Sequence, residues 1–193
     1  MDTRRSQGRE FYEGVHSEDE MERYNQGLYA ERNDIVLEQL SSCLPDSAKV
    51  LDLAAGSWYI AERLIRDDRV QSYTWNDFNT KLVKAVREKI SDERFSIDPF
   101  DADDSEVSLN EFNVFICISL EHIEKDLEIL SKLLPGTTVS ICSPNFDSKG
   151  HVRHFNSMRE FKSRYQHLID VQHEKTYHCK KVLQKYVITG VRV

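Results

Sequence analysis

The chain reads as an α/β protein built on an open, mostly parallel sheet with helices packed against it. Three observations predict this. Short apolar runs alternate with helical periodicities of about ten residues, the pattern of successive βαβ units. The most apolar stretch, Phe112–Ser119, lies mid-chain and reads as a central strand. The last two strand-like segments have no helix between them, so they read as an antiparallel pair at a sheet edge.

The elements follow in order. A helix is predicted over Glu22–Leu44, with Tyr29, Ile35, Leu37 and Leu40 on one face and Pro45 just beyond it. Lys49–Ala54 (V-L-D-L-A) reads as a buried strand and Ser57–Arg66 as a helix, through Ile60, Leu64 and Ile65. Val70–Asp77 reads as a strand, Thr80–Ile90 as an amphipathic helix and Phe95–Phe100 as a short strand. After the Phe112–Ser119 strand, Lys125–Leu134 is helical and stops at Pro135-Gly136. Thr137–Ser143 is a strand closed by Pro144, Ser157–Tyr165 a helix, and His167–Lys175 and Val182–Val193 the two closing strands. Residues 1–20 are rich in charge (Asp2, Arg4, Arg5, Glu18, Asp19, Glu20) and read as loose.

Composition bounds the function. The 193 residues fit one domain and carry a formal net charge of -7. An acidic balance argues against a protein that coats nucleic acid, which needs a basic field to neutralise phosphates. The longest apolar run, Val114–Ile118, is too short to span a bilayer, and Met1–Glu10 lacks the apolar stretch of a secretory signal. Cys43, Cys117, Cys142 and Cys179 form no Cys-x-x-Cys pair, so a reduced, cytoplasmic protein is expected. Cys117 and Cys142 fall on strands read as neighbours and are expected to act as small buried hydrophobes.

In an open α/β sheet the ligand sits outside the carboxyl ends of the strands. The first such end reads D-L-A-A-G-S-W-Y. Asp52 ends the strand and Gly56 turns the chain, so a ligand can approach backbone N–H groups. The same residues also read as a plain strand–turn–helix with Ser57 as N-cap. Phosphate-binding glycine repeats are absent, and an acidic residue before the turn suits a cationic ligand. Asp77, in T-W-N-D-F-N, is placed to accept both hydroxyls of a ribose, or to cap the following helix. Asp101 with the small Ala102 reads as a contact for an adenine amino group, or as an acidic solvated loop. In C-I-S-L-E-H-I, Ser119 ends the central strand. His122 follows on the turn as a candidate base, with an unperturbed pKa of about 6.5, or as a histidine that packs or caps.

Together these pieces resemble a class I S-adenosylmethionine-dependent methyltransferase over Lys49–Tyr165. V-L-D-L-A-A-G-S resembles the family's first motif, N-D-F-N its ribose-binding acid, Asp101-Ala102 its adenine contact and I-S-L-E-H-I its fourth-strand motif. L-L-P-G-T-T-V-S-I-C-S-P-N resembles its fifth-strand segment, and G-H-V-R-H-F-N-S-M-R-E-F a later segment found before a helix in many members. The resemblance implies a Rossmann-like seven-stranded sheet of order 3-2-1-4-5-7-6, last strand antiparallel, with helices on both faces. Residues 1–45 are then an N-terminal segment and lid helix, and 46–193 the methyltransferase domain. S-adenosyl-L-methionine is the implied cofactor, held by Asp52, Ala54, Gly56, Ser57, Trp58, Asp77, Phe78, Asp101, Ala102 and Ser119. Arg32, beside Tyr24 and Tyr29 on the lid helix, is the candidate partner of its carboxylate. The family turn commonly reads D-x-G-x-G-x-G; here its first glycine position is Ala54 and its third is Trp58. Trp58 can flank the cleft, fill part of it, or turn into the core.

The resemblance implies methyl transfer to a small molecule, sugar or nucleotide-linked metabolite. His122 is the candidate base, with His154 and His151 behind it. Two alternatives stand beside it: an RNA 2′-O-methyltransferase-like enzyme, and a catalytically silent binding module in which Trp58 closes the site. Glu121, His122, His151 and His154 resemble the ligand group of metal-dependent small-RNA 3′-terminal 2′-O-methyltransferases. That pattern carries a further Glu where this chain has Ile118, and no metal is expected. The basic segment Lys149, Arg153, Arg159, Lys162 and Arg164 faces an anionic acceptor or is a solvated helix face.

Overall fold

A computed structural model of the chain describes residues 26–104, 106–148, 150–178 and 183–193, together with Glu10 and Gly14. The expectations for the remainder of residues 1–25 (Tyr24 among them), for Lys149 and for Cys179 lie outside the described residues. Seven strands form one sheet: β1 (Ala48–Asp52), β2 (Val70–Trp75), β3 (Phe95–Ile97), β4 (Val114–Cys117), β5 (Thr138–Pro144), β6 (Ile169–His178) and β7 (Gln184–Arg192). Their order is β3-β2-β1-β4-β5-β7-β6. The pairs β1/β2, β1/β4, β2/β3 and β4/β5 are parallel. β7 enters antiparallel between β5 and β6.

Among the described residues, five helices cover the sheet: α1 (Gly27–Cys43), α2 (Tyr59–Leu64), α3 (Thr80–Lys89), α4 (Asp126–Lys132) and α5 (Met158–Tyr165). Adjacent residues on each strand point to opposite faces, and both faces are apolar. Val50, Ile116, Cys142 and Val187 join Val36 and Leu40 of α1, Ile60 and Leu64 of α2, and Leu82 and Val86 of α3 in one core. Leu51, Phe115, Ile141 and Ile188 join Ile129 and Leu130 of α4 and Phe161 and Tyr165 of α5 in the other. Cys117 and Cys142 are both buried, but on opposite faces. Burial on two sides is why the strands read as unbroken apolar runs.

The helix predicted as a lid is also a core element. Val36 and Leu40 of α1 are fully buried. Its carboxyl half is tied to the sheet: the Thr189 hydroxyl donates to Gln39 Oε1 at 2.7 Å, and Ser42 Oγ lies 3.1 Å from His173 Nε2.

The parallel strands stop earlier than their apolar patterns do. β1 ends at Asp52, β2 at Trp75, β3 at Ile97 and β4 at Cys117. For β1, β2 and β3 the cause is Asn76, fully buried just after β2. Its side chain accepts from Ala54 N at 3.2 Å and donates to the carbonyls of Asp98 (2.8 Å) and Phe100 (3.1 Å). These bonds replace ladder bonds and turn three chain segments outward at one edge. At the other end, residues 167–168 turn out of α5 (Leu168 N to Tyr165 O, 2.8 Å), so β6 starts at Ile169 and not His167.

Candidate functional site

The carboxyl ends of β1 to β5 meet along one edge, and β7, being antiparallel, begins there. After β1 the chain runs through Leu53 into Ala54, whose φ of +52° is rare for a residue with a Cβ. Gly56 follows at φ +65°, and a Cβ built on it meets nothing within 4 Å. Its N–H donates to Asp77 Oδ2 at 2.9 Å, and Asn79 N donates to Asp77 Oδ1 at 2.9 Å. Asp77 is therefore locked against the Gly56 turn. The N-cap of α3 is Asn79, whose side chain accepts from Lys81 N, and not Asp77. Ser57 does not cap α2 either: the N-cap is Trp58, and Ser57 Oγ takes only a long 3.4 Å bond from Tyr59 N.

Two carboxyl groups are thus buried side by side in this turn. Burial pushes Asp52 up to about 7, against the Tyr73 hydroxyl that donates to its Oδ2 at 2.6 Å; the Asp77 charge adds to the rise and Arg32 opposes it. Among the described residues, Asp52 Oδ1 is buried without a hydrogen-bond partner. Burial likewise pushes Asp77 up to about 6, with the amides of Asn79 and Gly56 pulling it down and Asp101 raising it. Arg32 is 6% exposed, with its Nε and one terminal nitrogen donating to Asn33 Oδ1 at 3.0 and 2.9 Å. Its charge opposes the rise of Asp52, so α1 brings it near the end of β1.

Asp101 and Ala102 sit half-buried in the loop after β3, where Asp101 Oδ1 accepts from Asp103 N at 3.0 Å. Phe78 and Ser119 are half-buried at the ends of β2 and β4. Trp58 is only 5% exposed and packs in the core among the residues of α1, α2 and α3, with Lys89 Nζ 5.3 Å from its ring centroid. Of the three orientations open to it, the indole turns inward. The Gly56 turn itself stays clear.

A second group lies where β4 ends. Glu121 and His122 stand on the 3-10 turn Leu120–His122, and His151 on the loop after β5. One ligand atom from each lies within 4.8 Å of the others. His122 Nδ1 is 3.0 Å from Gly150 O and His151 Nδ1 3.1 Å from Phe146 O. A carbonyl only accepts, so both rings carry their hydrogen on Nδ1 and Nε2 is the basic nitrogen. Burial lowers the pKa of both rings, although the Glu121 charge opposes it. His154 is exposed and outside this group.

Lys185, at the start of β7, was not singled out from the sequence. Its Nζ donates to Glu121 Oε1 at 2.9 Å. Burial pushes Glu121 up, but Lys185 and the two histidines outweigh it and hold its carboxyl down at about 2. The signal was topological: an antiparallel β7 must begin where β5 ends, and Lys185 pairs in register with Pro144.

The basic segment is largely spent inside the protein. Arg164 makes a two-pronged pair with buried Asp126 (both 2.8 Å), Arg153 lies 3.0 Å from it, and the Tyr165 hydroxyl donates to it at 2.7 Å. Lys162 pairs with Glu174. Arg159 is exposed.

No protein-family model matches the chain, and no curated protein sequence matches it. Solved structures do. The N-methyltransferase NodS from Bradyrhizobium japonicum, solved with S-adenosyl-L-homocysteine, aligns at a TM-score of 0.74 and 13% identity, over 96% of this chain and 98% of that one. A methyltransferase in complex with the Haloferax volcanii activator Trm112 aligns at 0.71 and 12%, over 93% and 97%. The methyltransferase domain of bacterial CtHen1-C aligns at 0.60 and 19%, over 84% and 98%. The fold is that of the class I S-adenosylmethionine-dependent methyltransferases. Among the described residues, no helix is long and apolar enough to cross a membrane.

Proposed function

We propose that the protein is an S-adenosylmethionine-dependent methyltransferase acting on a small molecule, sugar or nucleotide-linked metabolite. The observation that carries this is the Gly56–Asp77 contact. It holds a carboxylate beside a left-handed turn with open space over Gly56. Asp52 Oδ1, buried and unpartnered in the same turn, fits a cationic group brought in by a ligand.

Bound there, the cofactor supplies a methyl group on a sulfonium that is its own leaving group. The protein holds and orients. Asp77 would accept from the ribose, Phe78, Asp101 and Ala102 would border the adenine, and Ser57 and Ser119 would flank the methionine end. Asp52 and Arg32 would face the two charges of that end. His122 Nε2, kept basic by the Nδ1 contact to Gly150, takes the acceptor's proton. His154, exposed, stands as a second proton acceptor only if the loop after β5 folds over an acceptor. The silent binding module loses its support, because Trp58 packs in the core and does not fill the turn.

A second reading, an RNA 2′-O-methyltransferase-like enzyme, is favoured by the convergence of Glu121, His122 and His151. The Lys185 ion pair, the use of Arg153 and Arg164 inside the protein and the net charge of -7 weigh against it.

The test is calorimetric titration with S-adenosylmethionine and S-adenosylhomocysteine. Wild type is expected to bind both, and Asp77→Ala to bind at least ~10-fold more weakly, the loss of one charge-assisted contact. No heat from wild type at millimolar ligand overturns the reading.

A further inference from the structure

One carboxylate and two imidazoles, each imidazole hydrogen-bonded to a carbonyl through Nδ1, make a donor set that suits a divalent transition metal. Two features of this chain disagree with that use. Among the described residues no further carboxylate joins the group, and nearby position 118 is an isoleucine buried in the core at 2% exposure. The one carboxylate present is already engaged by an ammonium at 2.9 Å.

The ammonium is firmly placed. Lys185 sits at the mouth of β7, paired with Pro144 of β5 on one side and Tyr177 of β6 on the other. Its side chain is buried except at one edge. Glu121 is fixed from its backbone as well, because Val152 N donates to Glu121 O at 2.8 Å and ties the His151 loop to the turn. The two rings meet edge to face, centroids 4.9 Å apart. A divalent ion on Glu121, His122 and His151 must then approach a like charge already bound to its only anionic ligand, inside a low-dielectric pocket. Glu121 Oε2 is buried with no hydrogen-bond partner among the described residues, so the carboxylate keeps one acceptor that Lys185 leaves unused.

We infer that the Lys185 ammonium is the resident cation of the Glu121–His122–His151 group, so that the acceptor side of the cleft works without a metal and the metal-binding capacity of these residues is latent. Lys185 acts as a positioning residue: it neutralises Glu121 and keeps both imidazoles uncoordinated. The role assigned to His122 rests on the methyltransferase reading; the cation assignment does not, because its test reads metal uptake and not methyl transfer.

The experiment titrates the full chain with Co²⁺, followed by visible d–d absorption, and with Zn²⁺ by calorimetry. Wild type is expected to take up neither stoichiometrically below millimolar concentration. Lys185→Met and Lys185→Gln, which remove the charge and keep most of the volume, are expected to bind one ion per chain at least ~100-fold more tightly than wild type. Adding Glu121→Gln to Lys185→Met is expected to abolish that uptake. Micromolar, stoichiometric binding by wild type overturns the inference. So does failure of both single variants to take up Co²⁺, or uptake that survives Glu121→Gln.

Discussion

At the scale of single residues, the turn after β1 trades stability for a binding site. Asp52 is buried near Asp77, and among the described residues neither forms an ion pair. An unfolded aspartate titrates at its ordinary 3.8, while folded Asp52 titrates at about 7. Between those values the folded chain holds a proton that the unfolded chain has lost. Stability from this group is therefore fully present below about pH 4 and is lost as pH rises through 7. Asp77, raised to about 6, acts in the same direction. Asp52→Asn keeps an acceptor for the Tyr73 hydroxyl and removes the titration. Urea unfolding is expected to show wild type losing roughly 2–4 kcal/mol between pH 5 and pH 8, and Asp52→Asn losing markedly less. Equal slopes for the two proteins refute this account. On the proposed function, a ligand cation at Asp52 Oδ1 would recover part of this penalty, so the group that weakens the free protein would favour the complex.

At the scale of elements, what packs was legible and what ends was not. All seven strands and five helices stand where apolar runs and helical periodicity put them, because a sheet buried on both faces leaves a strong pattern. The ends of β1, β2, β3 and β4 were overrun; at the first three, the bonds of one side chain, Asn76, to Ala54, Asp98 and Phe100 take the chain out of the ladder and leave no periodic trace. In the candidate site, Asp52 ends β1, and Gly56, Asp77 and Asp101 lie within four residues of a strand's carboxyl end, where a ligand-facing residue of an open α/β sheet is sought. Lys185 was not legible, since its contact with Glu121 joins residues 64 positions apart through the reversal of β7. That reversal depends on Gly190. A Cβ there falls 2.1 Å from Asp170 O and within 3 Å of the Val171 Cα, just where the β6/β7 register shifts. Both neighbours are backbone and cannot swing aside. Gly190→Ala is expected to destabilise by about 3 kcal/mol or more, beyond ordinary overpacking. Because Lys185 lies on the same strand, the variant is also expected to weaken the Glu121 contact. A denaturation midpoint within error of wild type contradicts it.

At the scale of the whole molecule, the question is whether the cleft and the core compete for the same residue. The family position that most departs from glycine is Trp58, and a large side chain there could shut the site or build the protein. Its ring lies in the core that joins the sheet to α1, α2 and α3, with Lys89 over its face. The Gly56 turn beside it stays open. The two roles are therefore separable in one substitution. Trp58→Gly removes a buried aromatic and is expected to cost ~3–5 kcal/mol, a large share of the 5–15 kcal/mol that holds a typical domain together. If the indole blocked the turn, the same change would release the cleft and raise affinity for S-adenosylhomocysteine. Since it does not, the affinity of the folded variant is expected to stay within a few-fold of wild type, while its melting temperature falls and ligand recovers part of the fall by mass action. Measuring both on one sample separates the cases: lost stability with unchanged affinity places Trp58 in the core, whereas a tenfold gain in affinity at unchanged stability places it in the cleft. The first result also fits the proposed cofactor role of a turn with a single motif glycine. Gly56 alone needs to lack a side chain toward the ligand, Ala54 tolerates its left-handed backbone, and the third position serves the fold.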